Sequence, residues 1–184
     1  MTAPSWTIRT ARESDAAALA ALAERTFRDA FGAVNAAEDV DLHCARAYTR
    51  VRQAAEIADP QVVTVVVERE DELVGYVQLR RRVSPAIAET AAVEVLRFYV
   101  LRAWHGTGLA QELMHEVIAR AREMGAEVAW LGVWEHNPRA IRFYEKHGFT
   151  TVGEQPFVLG QDPQRDLVMV RPLQVAADPA PPIG

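Results

Sequence analysis

The chain has 184 residues, 49% of them hydrophobic, which suits one domain with a sizeable core, and it holds no run of about eighteen apolar residues that could span a membrane. Twenty basic against 25 acidic residues leave a net charge of -5, a balance that argues against nucleic acid as a partner and for a cationic one. A lone cysteine, Cys44, cannot form an internal disulfide. The opening Met1-Thr2-Ala3-Pro4-Ser5-Trp6 lacks the basic flank and apolar stretch of a secretion signal, so the expected setting is cytoplasmic, with no membrane partner.

Residues 1–6 read as an N-terminal extension and residues 7–11 as a short edge strand. Ser14 or Asp15 can cap a helix running to about Ala30, with Leu19, Leu22, Ala23, Phe27 and Ala30 as its apolar face. Phe27 and Phe31 have two readings, core or the floor of a substrate pocket. Gly32 stops this helix. Asn35, followed three residues on by Glu38, resembles a capping box for a second helix carrying His43 and Cys44. Adjacent helical residues point about 100° apart, so this pair makes poor joint metal ligands, and no metal is expected. Pro60 closes the helical region. Gln61 to Arg69 is then a valine-rich strand, and Leu73 to Leu79 returns as its hairpin partner after the turn Glu70-Asp71-Glu72. In the following loop, Arg80-Arg81-Arg82 reads as solvated surface or as a contact for a phosphate.

The stretch from Glu94 to Gly125 organises the rest. Glu94 to Val100 has the β-branched and aromatic content of a strand, and Leu109, Leu113, Val117 and Ala121 recur at helical spacing beyond His105-Gly106-Thr107-Gly108-Leu109-Ala110. Two glycines let the backbone approach a ligand, and the first free N–H groups of the helix favour an anion such as phosphate. A dinucleotide fingerprint would require glycine at Gln111, and the Gly-Lys-Ser/Thr ending of a P-loop is missing. Glu127 to Val133 forms a further strand. Asn137 then caps a helix that has Pro138 in its first turn and Gly148 beyond its end. Strands are expected at Phe149 to Glu154 and Leu167 to Arg171, and residues 173–184 form a proline-rich tail expected to be disordered.

His105 to Ala110 resembles the acetyl-CoA pyrophosphate signature of the GNAT N-acetyltransferases, Gln/Arg-x-x-Gly-x-Gly/Ala, with histidine in the first position. Asn137-Pro138-Arg139-Ala140-Ile141-Arg142-Phe143-Tyr144-Glu145-Lys146-His147-Gly148-Phe149 matches that family's Asn-x-x-Ala-x-x-Phe-Tyr-x-x-x-Gly-Phe. Trp130 to Glu135, Phe157 to Gly160 and Gln164 to Met169 look like a bacterial branch that includes spermidine/spermine N-acetyltransferases.

The resemblance covers residues 7–172 and implies an α/β (α+β) fold: a mixed, mostly antiparallel sheet, flanked by helices and splayed between the strands ending at Val100 and Val133. It implies acetyl-CoA as cosubstrate. The pantetheine arm would pair with the backbone of Phe98, Tyr99 and Val100, and His105, Gly106, Thr107, Gly108, Leu109 and Ala110 would hold the pyrophosphate. Asn137 would be both helix cap and cofactor contact. The Val100 N–H would polarise the thioester carbonyl, and the family places a phenol, here Tyr144, by the CoA sulfur as acid. Glu94 lies six residues before Val100, and even spacing along a strand puts both on one face, which makes it the candidate base; its alternative is a salt bridge, for instance to Arg97.

His136 is a minor candidate base and His115 reads as surface. Phe27, Phe31 and Trp134 are the candidate acceptor contacts, and the acceptor is a small-molecule amine or a peptide. For a polyamine, Glu38, Asp39 and Asp41 would hold the distal charge; their ordinary role is to favour a helix start. Two alternatives stand beside this reading: an acetyltransferase of protein N-termini or lysines, and a CoA-binding regulatory protein without turnover. The resemblance also leaves a homodimer open.

Overall fold

The structure is a computed structural model that describes residues 5–84, 86–87 and 89–173. Seven strands form one sheet in the order β1-β2-β3-β4-β5-β7-β6: β1 (Thr7–Thr10), β2 (Val62–Arg69), β3 (Glu72–Arg81), β4 (Ala92–Val100), β5 (Val128–Trp134), β6 (Thr150–Leu159) and β7 (Asp162–Pro172). Among the described residues every pairing is antiparallel except β4 with β5. That parallel pair is short. It joins Ala92 to Val128, Val93 to Ala129 and Glu94 to Trp130, then ends, although β4 runs on to Val100 and β5 to Trp134. The sheet therefore opens as a V with its closed end at Glu94 and Trp130. Val95 to Val100 keep one hydrogen-bonding edge free of a strand.

Helices α1 (Ala16–Phe31), α2 (Ala37–Ala47) and α3 (Arg50–Ala58) belong to one face, and α4 (Leu109–Glu123) and α5 (Pro138–Lys146) to the other. On the α4 side the core joins Leu109, Leu113, Met114 and Val117 to Val93, Val95, Val100, Leu131 and Met169. On the α1 side Leu19, Ala23 and Phe27 meet Val66 and Tyr76. Both faces of the central strands are thus covered, which is why β2 and β3 read as continuous apolar runs.

Three local expectations change. The helical region before Pro60 is two helices after Asn35, because Thr49 caps a fresh start by accepting from the Arg52 N–H at 3.1 Å. Asn35 is not an N-cap: Ala36 holds that position, and the Asn35 amide donates to the Phe31 carbonyl at 2.9 Å, closing α1. The last two strands are longer than the apolar signal implies, since β6 is an edge strand with mostly exposed side chains. At the N-terminal end, Trp6 packs edge-on against Trp104 at 5.9 Å and donates to Glu112 at 2.8 Å, so this part of the extension is docked on the core. At the other end Leu173 is buried and its N–H donates to the Glu127 carbonyl at 2.7 Å, while the remaining tail lies outside the described residues.

Candidate active site

The opening between β4 and β5 widens into a cleft of about 620 Å³. Its lining includes Val95 to Val100 of β4, Gly132 to Trp134 of β5, His105 and Ala110 of the turn, Asn137, Phe143 and Tyr144 of α5, and Phe27 and Phe31 of α1. Residues more than a hundred positions apart in sequence meet here because the V exposes both sheet faces to one space.

Leucine and valine packing fixes the turn. Leu109 is fully buried, so its side chain anchors the start of α4 and only its backbone can face a ligand. Gly106 and Gly108 have φ of 81° and 96°, and a Cβ built on either would meet nothing within 4 Å. The left-handed backbone, rather than crowding, requires glycine at both positions, and the space above them is open. The Thr107 hydroxyl donates to the Trp104 carbonyl at 2.8 Å, and the His105 imidazole lies 3.0 Å from the Val100 carbonyl through Nε2. His105 thus ties the turn to the end of β4. Burial is the main cause lowering its pKa, and Arg139 and Arg102 act in the same direction. Both arginines line the cleft beside it and give this mouth a cationic rim that the motif pattern does not reveal.

Tyr144 projects from α5 into the cleft, edge-on to Phe98 at 6.3 Å and Phe149 at 5.7 Å. Burial pushes its phenol up, so it stays protonated across the neutral range. Asn137 caps α5 by accepting from the Ala140 N–H at 3.1 Å while also lining the cleft.

Glu94 stands elsewhere. Along β4 the register steps from Val95 opposite Leu79 to Arg97 opposite Gln78, leaving Leu96 as an extra residue in a β-bulge. A bulge reverses side-chain parity. Val100 therefore shares the α4 face with Val93 and Val95, whereas Glu94 sits beside Trp130 on the opposite face. There its carboxylate accepts from Arg80 at 2.6 Å, with Arg82 at 3.8 Å, at the closed end of the V and away from the cleft lining. The expectation from even spacing is corrected, and Arg80, not Arg97, is the salt-bridge partner. None of Arg80, Arg81 and Arg82 lines the cleft. Arg97 instead donates to Glu56 at 2.5 Å and to the Gln78 side-chain amide oxygen Oε1, and lies over the Tyr48 ring at 5.2 Å.

The half of the cleft towards α1 and α2 is aromatic. Phe27 and Phe31 lie 4.7 Å apart, Phe31 meets Trp134 at 6.0 Å, and His43 stacks on Phe27 at 4.4 Å and approaches Phe157 at 5.7 Å. The three candidate acceptor contacts are therefore brought together, and Phe27 belongs to core and pocket at once. His43 is held neutral, its pKa lowered to about 4 by burial first and Arg97 second. Asp166 of β7 also lines this half, raised to about 6 by burial alone. His43, Tyr48, Phe157 and Asp166 were hidden from sequence reasoning because only the sheet order brings them together. His136 is exposed beside Glu135, outside the cleft lining, and His115 is exposed on α4. Among the described residues no group of three His, Cys, Asp or Glu side chains could hold a metal ion.

A splayed sheet whose opening is bounded by a glycine turn, a helix start and an α5 phenol defines a class, and comparison with known proteins agrees. The profile of the Acetyltransferase (GNAT) family matches residues 17–149, and the chain belongs to that family. An uncharacterised N-acetyltransferase of Mycobacterium tuberculosis is 38% identical over 160 residues, covering 87% of this chain and 99% of the relative. An uncharacterised N-acetyltransferase of Lactobacillus delbrueckii subsp. lactis is 32% identical over 164 residues, 88% of this chain and 94% of the relative. Among solved structures, the PaiA N-acetyltransferase of Thermoplasma acidophilum in complex with coenzyme A superposes with a TM-score of 0.75 at 18% identity, covering 91% of this chain and 99% of that one. YncA from Salmonella typhimurium with acetyl-CoA gives 0.72 at 24% identity, over 95% and 98%. The chain is an N-acetyltransferase. The narrower likeness to a spermidine/spermine branch finds no support among these relatives.

Proposed function

We propose that the cleft transfers the acetyl group of acetyl-CoA directly to a primary amine, without an acetylated enzyme. The observation that carries this is the free edge of β4 from Val95 to Val100, which faces the opening beneath the glycine turn. The amide-bearing pantetheine arm pairs with that edge as an added strand would. Gly106, Thr107, Gly108 and the start of α4 hold the pyrophosphate, with His105 bracing the turn and Arg102 and Arg139 supplying charge. Phe98, Tyr99 and Ala110 flank the arm, and the Val100 N–H meets the oxygen on which charge develops. Cofactor and acceptor then reach each other through the gap from opposite faces of the sheet.

Tyr144 gives its proton to the departing thiolate, a role supported by its place in the cleft and by burial that keeps the phenol protonated. For the acceptor, the acids near the start of α2 give a polyamine little to hold. Asp41 pairs with Arg28 at 2.6 Å, Asp39 accepts from the Gln161 N–H at 2.7 Å, and neither they nor Glu38 lines the cleft. The deciding experiment follows free thiol release from acetyl-CoA across small primary amines, polyamines and peptides. Thiol release with an amine and not without one is expected. Tight CoA binding with no release for any amine would favour the regulatory alternative.

A further inference from the structure

The aromatic half of the cleft contains a carboxylate that the fold does not use. Asp166 stands opposite Trp134 on β5 and opposite Gln155 on β6, so the three side chains share the sheet face that looks towards α1. Gly132 makes their room. A Cβ built there would lie 3.0 Å from Asp166 Oδ2 and 2.5 Å from Gln155 Nε2. Neighbouring acids are matched: Glu56 with Arg52 and Arg97, Glu135 with Arg165. Among the described residues Asp166 forms no ion pair, and burial alone raises its pKa to about 6.

A half-buried carboxylate without a cation costs stability, and a fold keeps such a group only against some return. The groups around it narrow what the return is. His43 is neutral, and the Tyr48 and Tyr99 phenols are pushed further from ionisation by burial. Arg97 is tied to Glu56, while Asp29, Arg102, His105 and Arg139 are exposed at the rim. Phe27, Phe31, Trp134 and Phe157 supply apolar walls and ring faces that attract an ammonium.

We infer that Asp166 receives the acceptor's ammonium and takes its proton, and that the acceptor is a monoamine with an apolar body about the size of an aromatic ring. This rests on the acetyltransferase reading above. Filling the cleft removes water, which raises the carboxyl pKa and lowers that of the ammonium until the proton can cross. The freed nitrogen lone pair attacks the thioester carbon, a C–N bond forms and the C–S bond breaks. The thiolate takes the Tyr144 proton, the second N–H proton of the new amide nitrogen returns to the phenol, and Asp166 releases its own proton to solvent. Acetyl-CoA and an ammonium thus become an amide, CoA thiol and one proton. Inside the aromatic half a polyamine's second ammonium would meet rings and Arg97, and the cleft's other lining carboxylate, Asp29, is exposed at the rim.

The test is calorimetric titration of 2-phenylethylamine into the CoA-loaded full chain, parent against Asp166→Asn, with spermidine and neutral 2-phenylethanol as comparison ligands. The parent should prefer 2-phenylethylamine to both. Asp166→Asn should weaken the amine about tenfold or more, leave CoA affinity unchanged and abolish the loss of amine affinity between pH 7.5 and 5 that the parent shows as its carboxyl protonates. Gly132→Ala keeps the carboxylate but crowds it, and should weaken the amine as well. Equal amine affinity in parent and Asp166→Asn, or tighter binding of spermidine, overturns the inference. Turnover measured in parallel separates the two readings: Asp166-dependent binding without acetyl transfer sinks the transferase proposal alone, and transfer indifferent to Asp166→Asn sinks this one alone.

Discussion

The two faces of the sheet meet at one cleft but are built by different means. On the α4 side the ligand surface is largely backbone: two left-handed glycines, the first amides of a helix and a strand edge, all within Val95 to Ala110. On the α1 side it is side chains drawn from α1, α2, β5, β6 and β7, with Phe31, His43, Trp134, Phe157 and Asp166 far apart in sequence. Backbone surfaces tolerate many side chains and so present the same groups to the same cofactor, whereas a side-chain surface changes with each residue. On the function proposed above, the face that would bind the common cosubstrate is the conformationally specified one, and the face that would select the acceptor is the compositionally specified one.

That contrast can be broken at four positions. The largest expected effect is at Tyr144, where the faces meet: Tyr144→Phe should lower kcat by roughly 10² to 10⁴-fold with acetyl-CoA affinity nearly unchanged, measured by steady-state and pre-steady-state thiol release. Gly108→Val forces a β-branched side chain into φ 96° and should weaken CoA by about ten- to a hundredfold at normal circular dichroism, with strain rather than a clash as the cause. Glu94→Gln removes half of a largely buried ion pair and should cost about 1–3 kcal/mol in denaturant unfolding, while kcat per folded molecule stays within a few-fold of the parent. A collapse of kcat with unchanged stability would restore Glu94 to the chemistry. The smallest effect is at Asp166. Its folded pKa of about 6 lies above the ordinary carboxyl value of 3.8, so its ionisation destabilises the fold above pH 6 and ceases to matter once both states are protonated. Asp166→Asn should therefore raise Tm by about 2–4 °C at pH 7.5 and by much less near pH 4, read by differential scanning calorimetry.

Legibility in the sequence followed the same division. The strand, glycine turn and helix from Glu94 to Glu123 were readable because turn chemistry and helical periodicity are local, and Asn137 with Pro138 announced α5 for the same reason. The side of β4 to which Glu94 points was not readable, since the bulge at Leu96 leaves no mark in an alternating apolar run and reverses every parity argument across it. The break between α2 and α3 was carried by a single threonine cap at Thr49. Asp166 fell within the family-like stretch Gln164 to Met169 but carried no site role there; that role became visible only when the β5-β7-β6 order set it across from Trp134 and Gln155, above a glycine that makes room for it. Phe27, Phe31 and Trp134 could be nominated one by one, but their meeting is a long-range contact.

The central claim is direct transfer through the gap between β4 and β5, and a single-turnover reaction followed by intact-mass spectrometry tests it most directly. With acetyl-CoA and an accepted primary amine, the account predicts an N-acetylated amine and free CoA thiol, with the protein at its unmodified mass at every time point and no thiol release when amine is omitted. An acetylated protein that forms from acetyl-CoA alone and then passes its acetyl group to the amine would contradict it.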